Sequence, residues 1–323
     1  MHFLTTLTLL TTAMVAQVHS YAMPLSCSGV CTNTHDPSLI RRSSDGTYYR
    51  FATGGRMPIF TSPALTGPWK QVGTVLSGAA KVPGQNTDLW APDVSLVGST
   101  YYLFYSASSF GSQNSQIGLA TSKTLDPGSW TDLGSVFSSK NGDKYNAIDA
   151  QLLQLGPSNH VVNFGSFWQD LFQFDIDITR PTIAKTAARQ LVYNATGAHA
   201  VEAAYMVQRE GMFYMFFSAG KCCGYDRDRP AKGDEYSIRV CASKTHNGGF
   251  KDKEGRDCLK NGGTVVLASH DNIYGPGGQG VYLDPREGWL LYYHYVDTKV
   301  GYGDGQKRLG INKINWSGGW PSV

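Results

Sequence analysis

Four acidic residues stand out by their surroundings. Asp36 lies in "HDPSLI", Asp93 in "WAPDVSLV", Asp149 in "NAIDAQLL" and Glu202 in "HAVEAAYM". A carboxylate among apolar neighbours is costly to bury as an ion, so it must be paired, hydrogen-bonded or held protonated. Carboxyls that share a site repel one another, and their pKa values separate. Cleavage of a glycosidic bond requires two carboxyls in different protonation states. One donates a proton to the leaving oxygen; the other is ionised to activate water or attack carbon. Glu202, followed by Ala203, Ala204 and Tyr205, has the more apolar surroundings and suits the acid. Asp36, between His35 and Pro37, suits the base. A single acid at a strand start is usually a turn or cap residue. Asp93, in the turn-forming "APD", is the first candidate for that structural role.

The elements that must position these residues repeat. "DGTYYRFATG", "GSTYYLFYSA", "SNHVVNFGSF", "EGMFYMFFSAG" and "EGWLLYYHYV" each run from a turn into a dense aromatic or β-branched stretch. Such runs favour strands. Aligned on Tyr48, Tyr101, Val161, Phe213 and Leu290, they carry Asp36, Asp93, Asp149, Glu202 and, in the fifth unit, Gln279 eight to twelve residues upstream. A second element, "GPWKQVG", "GSWTDLG", "GGFKD" and "GGWPSV", follows in every unit but the third. Repeats of this size, each a few strands, are the signature of propeller blades. The expected fold is all-β, a five-bladed β-propeller forming one domain over 21–323. A β-sandwich is the competing all-β architecture, but it does not explain the repeat. Only "IAKTAARQL" (183–191) reads as a short helix. In a propeller the first strand of each blade lines the central channel, so acids far apart in sequence converge there.

The first twenty residues, without an acid and with an apolar stretch ending in small residues, read as a secretory signal peptide. Six cysteines, Cys27, Cys31, Cys222, Cys223, Cys241 and Cys258, fit disulfides in an oxidising compartment. Pairing nearest neighbours makes Cys222–Cys223 a vicinal bridge. Asn194-Ala-Thr and Asn315-Trp-Ser are glycosylation sequons. A net charge of +3 without a basic block argues against a nucleic-acid partner, and no later apolar run suggests a membrane span. Charged residues make up 16%, against 37 Gly, 18 Tyr and 7 Trp, a mixture suited to a turn-rich β protein with faces for stacking. "GPGGQG" (275–280) lacks the Lys-Ser/Thr and helix of a phosphate loop and reads as a tight turn facing the channel. A nucleophile elbow and a zinc-protease motif are both missing from the sequence.

"HDPSLI", "LWAPDV", "NAID", "GSFW", "HAVEAAYM" and "GPGGQG", in this order at blade spacing, resemble family 43 of the glycoside hydrolases, above all its fungal endo-α-1,5-L-arabinanases. The resemblance runs from about residue 27 to the C-terminus. It implies a five-bladed propeller and an inverting mechanism. Asp36 is then the general base, Glu202 the general acid, and Asp149 the residue that tunes and orients the acid. Inversion needs base and acid roughly 6.5–9.5 Å apart. The same motifs imply substrate contacts at Asn146, Ala147, Ile148, Ser166, Phe167, Trp168 and Gly111, and Trp90 and Phe110 offer flat faces to furanose rings. His294, by itself a packed core residue in an aromatic strand, maps to a family position beside a channel ion. That ion would be a mostly water-coordinated Ca²⁺ acting as an electrostatic aid; no cofactor is required for the chemistry. The family commonly has Pro after the Asp of "NAID", where this chain has Ala150, a change expected to loosen Asp149. The implied partner is linear α-1,5-L-arabinan, cut by a secreted monomer. The alternatives are an exo-acting α-L-arabinofuranosidase or β-xylosidase on the same fold, and a non-catalytic carbohydrate-binding propeller. A lectin would repeat one set of ligand residues in every blade, whereas the channel positions here are differentiated.

Overall fold

The computed structural model describes residues 21–180, 186–197 and 200–323, so the leader expected at 1–20 lies outside the described residues. Each repeat forms one antiparallel sheet with its strands in chain order, and the five sheets are the blades of a β-propeller. The inner strands are Ser38–Arg41, Trp90–Val97, Gln151–Gly156, Val201–Arg209 and Ile273–Asp284. The aromatic runs are the second strands, Tyr48–Phe51, Thr100–Ala107, Asn159–Phe164, Met212–Ala219 and Gly288–Asp297. Among the described residues four blades have four strands and the fifth has three. The chain after residue 21 completes that fifth blade: Leu25 N–H donates to Ile311 O (2.8 Å), Leu309 N–H to Cys31 O (2.9 Å), and Thr32 bridges Arg308. The ring is thus closed by pairing its first segment with its last strand, which removes an open sheet edge.

The second strands are apolar on both faces because both faces are covered. Successive strand residues point to opposite sides, so Tyr49 packs toward blade two while Tyr48 packs toward blade five. The same division separates Leu103 from Phe104, Val161 from Val162, Phe213 from Tyr214 and Leu290 from Leu291. The result is five inter-blade cores. The cysteines pair as nearest neighbours, Cys27–Cys31, Cys222–Cys223 and Cys241–Cys258. The helix expected at 183–191 is not formed where it is described: Arg189–Val192 is the outer strand of blade three. Leu191 and Val192 are buried against the sheet, so tertiary packing overrides helix propensity. Residues 183–185 lie outside the described residues.

Candidate active site

Strand register defines one functional face. Glu202 pairs with Ser218 near the end of the second strand of blade four, and Trp90 pairs with Ser106 in blade two. The loops joining second to third strands, 52–57, 108–114, 165–170, 220–236 and 298–307, therefore rise on the same side as the starts of the inner strands.

At the opening of each blade's inner segment, two residues before the strand in blades one and three and inside it in the others, stands a left-handed residue. Asp36, Ala91, Asp149, Ala203 and Gly278 have φ of 41, 44, 58, 56 and 57°. In three blades the ladder slips here, between Trp90 and Asp93, Glu202 and Tyr205, and Gly277 and Gly280. Bulges bend a strand and re-aim its side chains. Each opening N–H is also clasped by a side chain of the preceding blade. Asp36 N–H donates to His294 Nδ1 (3.0 Å), Ala91 to Thr53 Oγ1 (2.8 Å) and Asp149 to Ser106 Oγ (3.0 Å). Ala203 N–H donates to Asp149 Oδ2 (3.0 Å) and Gly278 to Ser218 Oγ (2.9 Å).

This geometry corrects the sequence alignment of the acids. Asp36 and Asp149 are equivalent, but Asp93 stands two residues beyond its blade's opening residue, Ala91. Glu202 lies one residue before Ala203, and Gln279 one after Gly278. A bulge hides such offsets from any count back to the second strand.

Asp36, Asp149 and Glu202 converge. Thr53 Oγ1 donates to Asp36 Oδ2 (2.7 Å), and the Asp36 side chain remains 32% exposed, open to water. Glu202 accepts from Ser166 Oγ (2.6 Å) and Tyr236 OH (2.5 Å). Burial pushes the Glu202 pKa up; the two hydroxyls oppose this, and the Asp36 charge adds to it. Burial also drives Asp149 well above the carboxylate range, reinforced by the charges of Glu202 and Asp36. Asp149 and Glu202 therefore titrate as a pair that retains a proton where an ordinary carboxyl would lose it. Ser106 and Ala203, from the blades on either side, grip Asp149, so the loosening expected of Ala150 has no counterpart in its hydrogen bonds.

Asp93 is buried, which pushes its pKa up to about 7. Its Oδ2 accepts Leu152 N–H (3.2 Å), tying blade two to blade three. Below the acids an axial cavity of ≈ 40 Å³ is lined from all five blades, by Asp36, Asp93, Asp149, Ala203 and Gly278 among others. That volume admits a few waters but no sugar. The glycines of "GPGGQG" make room at this point. A Cβ on Gly277 would sit 2.0 Å from the Tyr236 ring, and one on Gly278 2.4 Å from Asp36 Oδ1.

Among the described residues nothing supports the calcium ion expected beside His294. The His294 Nδ1 lone pair accepts the Asp36 N–H, so in the neutral ring the proton belongs on Nε2, which is buried and has no hydrogen-bond partner among the described residues. Calcium wants six to eight oxygens, and among the described residues no group of three His, Cys, Asp or Glu could hold a metal. His294 instead fills the place that Thr53, Ser106 and Ser218 fill in other blades.

The expected substrate contacts divide. Phe110 is 84% exposed at the tip of its loop beside Gly111, and it packs on half-buried Trp90 with ring centroids 5.1 Å apart. Trp168, 36% exposed, and Phe167 both have left-handed backbones in the blade-three loop. Ser166 serves Glu202 directly. Asn146, Ala147 and Ile148 are buried, with Ala147 in the core between blades two and three, so they shape the approach to Asp149. Sequence reasoning missed Thr53, Ser106 and Tyr236. Thr53 and Ser106 had a signal, a hydroxyl closing an aromatic run in "RFAT" and "LFYS". Tyr236 had none, because it enters from a long loop.

The profile of Glycosyl hydrolases family 43 matches residues 30–321. A protein of Aspergillus clavatus named as a probable arabinan endo-1,5-alpha-L-arabinosidase A is 54% identical, covering 94% of this chain and 95% of its own. The arabinan endo-1,5-alpha-L-arabinosidase A of Aspergillus aculeatus is 52% identical, with the same coverage of both chains. Among solved structures, an exo-1,5-alpha-L-arabinanase from a bovine ruminal metagenomic library superposes with a TM-score of 0.81 and 30% identity. The endo-arabinanase of Bacillus licheniformis gives 0.80 and 30%. Each covers 92% of this chain and 99% of its own. With residues 30–321 matched by the family profile and nearly its whole length by these relatives, the chain belongs to glycosyl hydrolases family 43.

Proposed function

We propose that this chain is a secreted endo-1,5-α-L-arabinanase that cuts linear arabinan with inversion, residues 21–323 acting as one catalytic domain after loss of 1–20. The observation that carries this reading is the meeting of an accessible Asp36 with the proton-retaining Asp149–Glu202 pair. Asp36 takes a proton from water as that water attacks the anomeric carbon. Glu202 gives its proton to the departing O5, and Asp149 keeps Glu202 protonated and oriented by charge. Hydrolysis then consumes only water. Relatives more than half identical over nearly the full length are named for endo cleavage, which favours internal cuts over the exo reading. Among the described residues no helix is long and apolar enough to cross a membrane, which is compatible with a secreted product.

The test is digestion of linear arabinan, following viscosity and reducing ends together, with xylan as control. Early loss of viscosity with few new ends is expected. Steady release of arabinose with slow viscosity loss would assign exo action instead, and failure to cut either polymer would leave only the binding reading. Proton NMR of the first product should show the β-anomer; an initial α-anomer would rule out inversion.

Two substitutions probe the parts. Phe110→Ala removes the outer member of the Trp90–Phe110 ledge. Aromatic packing contributes about 0.5–1.5 kcal/mol, so KM on the polymer is expected to rise about two- to tenfold with kcat nearly constant. Asp149→Asn removes a charge that keeps the proton on Glu202. The acid then loses its proton at lower pH, and the alkaline limb of the pH–rate profile is expected to move down. An unmoved limb would remove Asp149 from the tuning role.

A further inference from the structure

The vicinal disulfide lies on the catalytic face, in the blade-four loop 220–236, and nothing in the hydrolysis described above uses it. Its turn is docked onto the blade-five loop 298–307. Lys307 is 0% exposed, and its Nζ donates to Cys222 O (2.8 Å) while lying 3.5 Å from Cys223 Sγ and 3.4 Å from Asp304 Oδ1. Asp304 in turn accepts Gly224 N–H on both carboxylate oxygens (3.1 and 3.2 Å). One residue pair of blade five therefore holds the carbonyl of the peptide inside the disulfide ring and the first amide beyond it. Tyr225 closes the turn from below, its OH donating to Lys221 O (2.6 Å) and its ring 5.8 Å from the Lys307 ammonium.

The same two residues reach the catalytic segment. Asp304 O lies 2.9 Å from His35 Nε2, and since a carbonyl only accepts, the imidazole donates from Nε2. Lys307 O accepts Thr34 N–H (3.1 Å). Thr34 and His35 lead directly into Asp36, whose left-handed backbone must be held from outside. A buried ammonium is costly unless paired: burial pushes the Lys307 pKa down, and the charges of Asp304, Asp36 and Glu202 oppose this.

We propose that the Cys222–Cys223 turn is a positioning element for Asp36, acting through the Lys307–Asp304 clamp and His35. Closing the two side chains into a ring with their shared peptide leaves the Cys222 carbonyl and the Gly224 amide few orientations. Lys307 and Asp304 then have a fixed seat, and His35 a fixed acceptor. Lys307 and the two cysteines touch no reacting atom.

This inference rests on the arabinanase reading only for its activity arm. The test compares the full chain with Cys222→Ser/Cys223→Ser, with Lys307→Met, and with the triple variant. On linear arabinan, kcat is expected to fall about five- to thirtyfold in the first two, with KM within about twofold. The triple variant should be no worse than the poorer of these, because both changes break one path. With ¹⁵N-labelled histidine, the His35 Nε2–H signal, assigned by its loss in His35→Gln, is expected to shift in both. An unmoved His35 signal overturns the proposal, as does an unchanged kcat or strictly multiplying losses. If the parent chain does not cut arabinan, the arabinanase reading fails and the His35 signal alone decides whether the turn positions this segment.

Discussion

Glu202→Gln is expected to lower kcat on linear arabinan by about 10²–10⁴-fold, the usual range for losing a general acid, while leaving the fold intact. Glutamine keeps an oxygen for the Tyr236 hydroxyl, and the Ser166 hydroxyl can turn to accept from the new amide, so both partners of Glu202 stay satisfied. The inner strand before and after it is unchanged, and thermal unfolding should shift by only a few degrees. The discriminating measurement uses a second substrate, an aryl α-L-arabinofuranoside whose nitrophenolate leaves without a proton. Loss of the acid should spare this substrate and cripple only the polymer. Equal losses on both would mean that Glu202 does something other than protonate the leaving oxygen. Near-normal turnover of arabinan would remove it from the mechanism.

The blades were legible because each second strand is a run dense in aromatic and β-branched residues set off by a turn, and a propeller covers both faces of that strand. Tyr48 and Tyr49 enter different inter-blade cores, and so do Leu290 and Leu291. The disulfides follow the simplest of the fifteen pairings that six cysteines allow, nearest neighbour to nearest neighbour. The outer strand of blade three was not legible: Arg189–Val192 sits in an alanine-rich stretch whose propensity favours helix, and only burial against the blade decides otherwise.

At the site, the acids could be found by type and place but not by register. Counting back from the second strands put Asp93 in line with Asp36. The left-handed opening residues show instead that Ala91 holds that position, with Asp93 buried two residues further on. Nothing in a string of letters marks φ except an out-of-place glycine, and only blade five has one there. The clasps were half visible. A hydroxyl ends the aromatic run in blades one, two and four, but His294 takes the same task in blade five and Asp149 in the step from blade three to blade four. Their chemistry differs from the hydroxyls', so both drew attention as functional residues. In Asp149 two features coincide: the carboxyl whose pKa is raised by burial and by the Glu202 charge also fixes the backbone next to Glu202.

Asp36→Asn separates the base from the acid. Asparagine keeps an acceptor for the Thr53 hydroxyl and the backbone N–H that His294 clasps, and it tolerates a left-handed backbone as well as aspartate does. The substitution therefore removes the charge and the proton acceptor with little else disturbed. Water attack is common to every substrate, so kcat is expected to fall by about 10²–10⁴-fold on arabinan and on the aryl arabinofuranoside alike. Glu202→Gln should leave the second of these rates standing, and the two variants together give a pattern that a general loss of packing cannot reproduce. Azide needs no base. Added to Asp36→Asn with the aryl substrate, it should attack from the position the water occupied, expel the nitrophenolate, and give the β-configured arabinofuranosyl azide. Recovery of turnover with that product would fix Asp36 as the base on the face opposite the leaving group. An azide of α configuration would instead point to attack on a covalent intermediate, and the inverting assignment would fall with it.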